Sequence, residues 1–69
     1  MERISVSSSN VASIGYDPET STLQIEFNNG SIYDYYDVPE DIYTALINAG
    51  SVGSFFHANI RNIYSYQQT

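Results

Sequence analysis

The stretch Thr22-Leu23-Gln24-Ile25-Glu26-Phe27-Asn28-Asn29-Gly30-Ser31-Ile32-Tyr33-Asp34-Tyr35-Tyr36 decides how this chain folds. Leu23, Ile25 and Phe27 alternate with Gln24 and Glu26, the period of two expected of a strand with one buried face. Asn28-Asn29-Gly30 then turns the chain onto a second strand over residues 31–36. The register of this hairpin follows from charge. A two-residue Asn29-Gly30 turn would set Asp34 opposite Ile25 and bury its carboxylate. A three-residue loop with Gly30 in the left-handed region sets Ile25 opposite Tyr33 and Leu23 opposite Tyr35. Asp34 then lies outside, across from Gln24. An unpaired buried carboxylate is costly, and a slip of one residue reverses every side chain. The longer loop is therefore predicted, with Tyr33 and Tyr35 facing the core.

Upstream, residues 11–17 read as a strand in which Ala12, Ile14 and Tyr16 alternate with Val11, Ser13 and Gly15. Asp17-Pro18-Glu19-Thr20-Ser21 is a turn by composition. Residues 1–9 form a polar arm in which Ile4 and Val6 have the character of a short edge strand. Downstream, Pro39 suits a first helical turn, and Glu40 and Asp41 favour its positive end. Ile42, Ala45, Leu46 and Ala49 recur at helical spacing, which predicts a helix over 39–49 that stops at Gly50. Ser51 caps a second helix over 52–63, with the stripe Val52, Phe56, Ile60 and Ile63. The tail over 65–69 frays or adds a short extended piece. The expectation is a single α+β domain, β-β-β-α-α, with one face of a three-stranded meander under two helices.

The composition narrows the function. The chain has 69 residues, no cysteine, one histidine and a net charge of −6. It therefore has a thin core, no disulfide or thiolate chemistry, and neither a metal nor a cofactor signature. Its only cations are Arg3 and Arg61, with no lysine, against eight carboxylates. Nucleic-acid affinity comes largely from cations that displace counterions, so the charge disfavours RNA and DNA, and it disfavours anionic membranes too. No run of apolar residues reaches membrane-spanning length, and the N-terminus lacks a signal-peptide pattern; a cytoplasmic protein is expected.

Motifs along the chain add a resemblance. Ser8-Ser9-Asn10, Ile14-Gly15-Tyr16-Asp17 and the Leu23 to Phe27 strand look like the opening of a KTSC domain. Gly30-Ser31-Ile32-Tyr33-Asp34-Tyr35-Tyr36 and Val38-Pro39 resemble that family's central Tyr-x-Tyr motif. Ser51-x-Gly53-x-Phe55-Phe56, Ile60-Arg61 and Tyr64-x-Tyr66 resemble its closing segment. The resemblance implies a small domain found as stand-alone bacterial and phage proteins and at the C-terminus of some lysyl-tRNA synthetases, for which RNA binding has been suggested. This chain departs from the family around the final Tyr-x-Tyr, where basic residues are common and only Arg61 is present.

Seven tyrosines are many for this length. They are either packing or a stacking platform for bases. In the predicted register Tyr33 and Tyr35 pack, whereas Tyr36 points outward beside Asp34. Tyr64 and Tyr66 lie near the end and suit an interface. Arg61 either pairs with Asp34 or Asp37 or grips a ligand anion. With donors at Ser51 and Ser54 and a ring from Tyr36 or Tyr64, it would make a nucleotide-sized site. The carboxylates Asp34, Asp37, Glu40 and Asp41 gather near a strand–helix junction without a catalytic pattern. His57 has no nucleophile motif beside it. The candidate contact residues are Tyr36, Arg61, Tyr64, Tyr66 and Asp34, with no catalytic residue. The expected function is a non-catalytic interaction module that binds a protein partner or itself as a homo-oligomer. RNA binding is the alternative, and a phage-encoded decoy of a host defence system is a third reading.

Overall fold

The computed structural model describes residues 1–69 and threads them through β1 (Arg3–Ser5), β2 (Val11–Asp17), β3 (Thr22–Phe27), β4 (Ile32–Tyr35), α1 (Glu40–Ile47), α2 (Val52–Asn59) and β5 (Tyr66–Gln68). The five strands form one antiparallel sheet in the order β1-β2-β3-β4-β5. The expected meander is its centre, and the two chain ends supply its edges. The arm over 1–9 contributes β1, and the tail contributes β5 after the chain has passed through both helices.

The central hairpin adopts the register that the charge argument requires. Leu23 pairs with Tyr35, Gln24 with Asp34 and Ile25 with Tyr33. The Asn28-Asn29-Gly30 loop closes with the Phe27 amide donating to the Ser31 carbonyl at 2.9 Å and the Gly30 amide to the Phe27 carbonyl at 2.9 Å. Gly30 sits at φ 93°, a region that a side chain disfavours. Asp34 stays outside, where its Oδ1 accepts from Gln24 Nε2 at 3.0 Å.

Strand β2 departs from simple alternation. Val11 pairs with Phe27 but Ser13 with Glu26, so Ala12 is an extra residue in a bulge. The bulge returns Val11 to the same face as Ile14, and both are fully buried. Strict alternation put Val11 on the other face. On the outer face Ser13 meets Arg3. Arg3 Nε donates to Ser13 Oγ at 3.0 Å, Arg3 Nη1 donates to Gln24 Oε1 at 2.6 Å, and Ser13 Oγ donates to Glu26 Oε1 at 2.8 Å. Arg3 thereby reaches acceptors on β2 and β3 from β1.

The helices cover the other face. Pro39 precedes α1, and its carbonyl accepts from the Ile42 and Tyr43 amides. Tyr16 ties β2 to this junction: its hydroxyl donates to the Val38 carbonyl at 2.5 Å, and its ring stacks on Tyr43 at 4.9 Å. Ser51 caps α2 by accepting from the Ser54 amide at 3.3 Å. Both helices are shorter than the spacing predicts. Helix α1 ends at Ile47, and Ala45 is exposed. Its buried stripe instead runs through Ile42, Tyr43, Leu46 and Ile47. Helix α2 ends at Asn59, and the turn after Ile60 breaks the helical phase. Ile60 is fully buried and Ile63 is 63% exposed, so Ile63 leaves the predicted stripe.

The core is Val11, Ile14, Leu23, Ile25, Tyr35 and Val38 under Leu46, Val52, Phe56 and Ile60. Leu23→Ala opens a cavity at its centre and is expected to cost about 2–5 kcal/mol. That is most of the marginal stability of so small a domain, and the loss should appear as a lowered midpoint in urea denaturation.

Candidate functional site

The Ser9-Asn10 loop, the Asn28-Asn29-Gly30 turn and the capped helix α2 shape a cleft beside the sheet. Phe27, at the end of β3, and Tyr33, at the start of β4, lie on the face that the helices cover. β5 brings Tyr66 alongside Tyr35. Five rings form a closed circuit: Phe56 meets Phe27 at 5.5 Å, Phe27 meets Tyr33 at 5.7 Å, and Tyr33 meets Tyr66 at 5.8 Å. Tyr66 meets Tyr35 at 5.5 Å, and Tyr35 returns to Phe56 at 5.4 Å. Edge-to-face and tilted contacts of this kind add to the area buried. The five rings differ widely in burial. Tyr35 and Phe56 are each 4% exposed, Phe27 and Tyr33 are half-buried, and Tyr66 is 59% exposed.

Helix α2 stops short of covering these rings and leaves a cleft of about 530 Å³. The aromatic circuit is its floor. One wall is His57, in the last turn of α2, and Arg61, in the turn that follows the helix; the rim is made of amide and hydroxyl side chains from the Ser9-Asn10 and Asn28-Asn29 loops. The Ser9-Asn10 wall is held close to α2. A Cβ at Gly53 would lie 2.7 Å from Asn10 Oδ1, so a side chain there would displace the Asn10 amide from its present position.

Arg61 makes no ion pair. Its Nη1 lies 3.4 Å from His57 Nδ1, and the only salt bridge in the molecule joins Arg3 to Glu26 at 3.9 Å on the opposite face. Of the two alternatives for Arg61, the ion pair with Asp34 or Asp37 does not form: Asp34 is on the outer face beside Gln24, and Asp37 is in the turn before α1. None of the eight carboxylates lines the cleft. Asp17, Glu19, Asp37, Glu40 and Asp41 gather instead at the other end of the sheet, where the Val38 amide bonds the Ser21 carbonyl at 2.9 Å. The junction carboxylates do not converge into a group able to hold a metal ion.

The candidate contact residues divide between the two faces. Arg61 and Tyr66 meet in the cleft, together with Tyr33 and Tyr35. Asp34 and Tyr36 lie on the outer face; Asp34 is tied to Gln24, and the Tyr36 hydroxyl donates to Gln67 Oε1 at 3.3 Å. Tyr64 packs against the core. Ser51 is spent on its own helix cap, so Arg61, Tyr36, Tyr64 and Ser51 do not assemble into one site. Sequence reading missed Phe27, Asn10 and Asn28 as cleft residues. The signal was their place at strand ends on the tyrosine side of the sheet, which acquires meaning only once α2 is known to stop at Asn59.

Burial holds the Tyr35 phenol above its ordinary value of 10.0; Tyr66 and Tyr33 raise it further, and Arg61 opposes them. The Tyr35 hydroxyl has no hydrogen-bond partner in the protein, yet no buried side-chain oxygen is sealed from solvent without one. It therefore opens into the cleft it lines. The folded state holds this proton more tightly than the unfolded chain does. The resulting stability is complete below the unfolded value near 10.0 and is lost as pH rises through the raised folded value. In an alkaline titration followed by tyrosinate absorbance, one of the seven tyrosines should ionise later than the rest. Tyr35→Phe should remove that late step.

The comparisons agree with this architecture. The KTSC domain family model matches residues 7–64. A crystal structure of a KTSC domain protein from Yersinia pestis superposes with a TM-score of 0.94 at 38% identity, covering 99% of this chain and 96% of that one. An uncharacterized protein from Stutzerimonas stutzeri is 42% identical over 57 residues, 83% of this chain and 80% of that protein. A lysine–tRNA ligase from a Nostoc species is 45% identical over 53 residues, which is 77% of this chain but only 9% of the ligase. No helix is long and apolar enough to cross a membrane.

Proposed function

The chain belongs to the KTSC domain family, and from that premise we propose that it is a small non-catalytic binding module that holds a partner protein in the aromatic cleft. One observation carries this reading: in a molecule of net charge −6, the cleft is free of carboxylates and contains an arginine without a counterion. Tyrosine supplies a large contact area with few rotatable bonds, and the exposed Tyr66 ring extends the floor to the molecular surface. The charge distribution supports the site. The acidic residues gather around the β2–β3 turn and the start of α1, and none of them lines the cleft. An anionic group in the cleft therefore meets an arginine and no carboxylate in the lining.

RNA binding is the second reading. The lysine–tRNA ligase relatives and the conjunction of aromatic rings with an arginine favour it. It is weaker because Arg3 and Arg61 sit on opposite faces and no basic track follows the cleft. With one phosphate neutralised, single-strand binding would show a salt slope of only about 0.7. Self-association through the cleft is a special case of the first reading and is read out by the same experiment.

A photo-crosslinking residue placed at Tyr66, in cells that naturally make the protein, is expected to give protease-sensitive adducts. The same probe at Tyr36 on the outer face should give few. Adducts from Tyr36 alone, or adducts destroyed by nuclease, would defeat the proposal, and the latter outcome selects the RNA reading. Arg61→Ala should reduce the Tyr66 adduct several-fold while leaving the melting temperature unchanged.

A further inference from the structure

Resting on the reading of the cleft as a protein-binding site, we infer that its occupant is the aromatic residue at the C-terminal end of a partner chain, with the ring on the tyrosine floor and the terminal carboxylate on Arg61. Three observations point to this chemistry. The first is the count of charges. Arg61 is the sole arginine of the cleft and has no counterion. One guanidinium matches one carboxylate through two parallel hydrogen bonds. A phosphate dianion would leave a second charge uncompensated in a cleft whose lining has no other arginine or lysine, which selects a monoanion.

The second observation is the floor. Phe27 and Tyr33 are half-buried and Tyr66 is 59% exposed, so the part of the circuit nearest the opening presents ring surface with nothing packed on it. Such a surface is satisfied by another ring, stacked or edge-on. The third is the Tyr35 hydroxyl. The residue is 4% exposed, its hydroxyl has no partner in the protein, and it faces the cleft. As a protonated phenol it offers a donor at the base of the site, suited to a carboxylate oxygen. A donor that reaches solvent and has no protein partner is free to serve a ligand that brings an acceptor.

A chain end fits better than an internal pair of residues. In a terminal phenylalanine, tyrosine or tryptophan, the ring and the carboxylate hang from one Cα, and a cleft of about 530 Å³ accommodates both. An internal aromatic–acidic pair must order two side chains to make the same contacts, each at an entropic cost.

The test uses the intact protein, amide chemical shifts and four probes. N-acetyl-phenylalanine carries ring and carboxylate; N-acetyl-phenylalaninamide keeps only the ring; N-acetyl-alanine keeps only the carboxylate; adenosine monophosphate carries a ring with a phosphate. N-acetyl-phenylalanine is expected to bind weakly, with a Kd of about 1 mM for so few atoms, and to shift amides around Tyr33, His57, Arg61 and Tyr66. Removing the carboxylate or the ring should weaken binding at least tenfold. Arg61→Gln should weaken N-acetyl-phenylalanine to the level of the amide and leave the amide unchanged. Tyr35→Phe should weaken the carboxylate probe several-fold more than the amide. Equal binding of the acid and the amide, no shifts in the cleft, or indifference to Arg61→Gln would each overturn the inference. Tighter binding by adenosine monophosphate would overturn it as well. These failures are separable from failure of the protein-binding reading. Protease-sensitive crosslinks at Tyr66 together with silent probes leave the module standing and remove only the terminal-residue ligand.

Discussion

The pairing of β3 with β4 is the constraint on which the rest depends, and a single carboxylate sets it. With Leu23 opposite Tyr35 and Ile25 opposite Tyr33, Asp34 faces solvent beside Gln24. The alternative register would exchange these faces. Once Asp34 is outside, so are Gln24 and Glu26, and together with Ser13 they form the polar surface that Arg3 crosses from β1. The ion pair within that network is exposed enough to contribute little by itself. Its effect is on specificity, since it gives the short first strand a defined partner on the sheet's outer face.

The same register assembles the cleft. Tyr33 and Tyr35 enter the helix-covered side with Phe27, and β5 adds Tyr66 from the far end of the chain. Helix α2 is too short to cover all of them. The aromatic residues therefore grade from core to surface. Tyr35 and Phe56 stabilise the fold, while Tyr66 contributes mostly open ring surface. Burial, not residue type, decides which of these rings belong to the core and which are left at the surface.

Charge is segregated by the same topology. Five carboxylates collect where β2 meets β3 and β4 meets α1, and the cleft lies at the opposite end of the strands. An acidic protein thus has one cleft with no carboxylate in its lining. The two arginines do unlike things. Arg3 has its hydrogen bonds within the sheet, and Arg61 has only His57 beside it. Composition counts them equally, and only their environments distinguish them.

Much of this was legible in the chain itself. The alternation in β3, the Asn28-Asn29-Gly30 turn and the cost of burying Asp34 fix the hairpin register, because these are local effects between neighbouring residues. The Ser51 cap is local for the same reason. The bulge at Ala12, the ends of α1 and α2, and the exposure of Ala45 and Ile63 were not legible, since packing against other elements sets them. Least legible was the site. Tyr33 and Tyr66 are far apart in sequence, and the chain alone left open whether Arg61 pairs with a carboxylate or stays free for a ligand. The sequence alone determined which faces are apolar and which side chains carry charge. Only the tertiary structure decided which rings stay uncovered and which arginine stays unpaired, because both depend on where distant segments stop against one another.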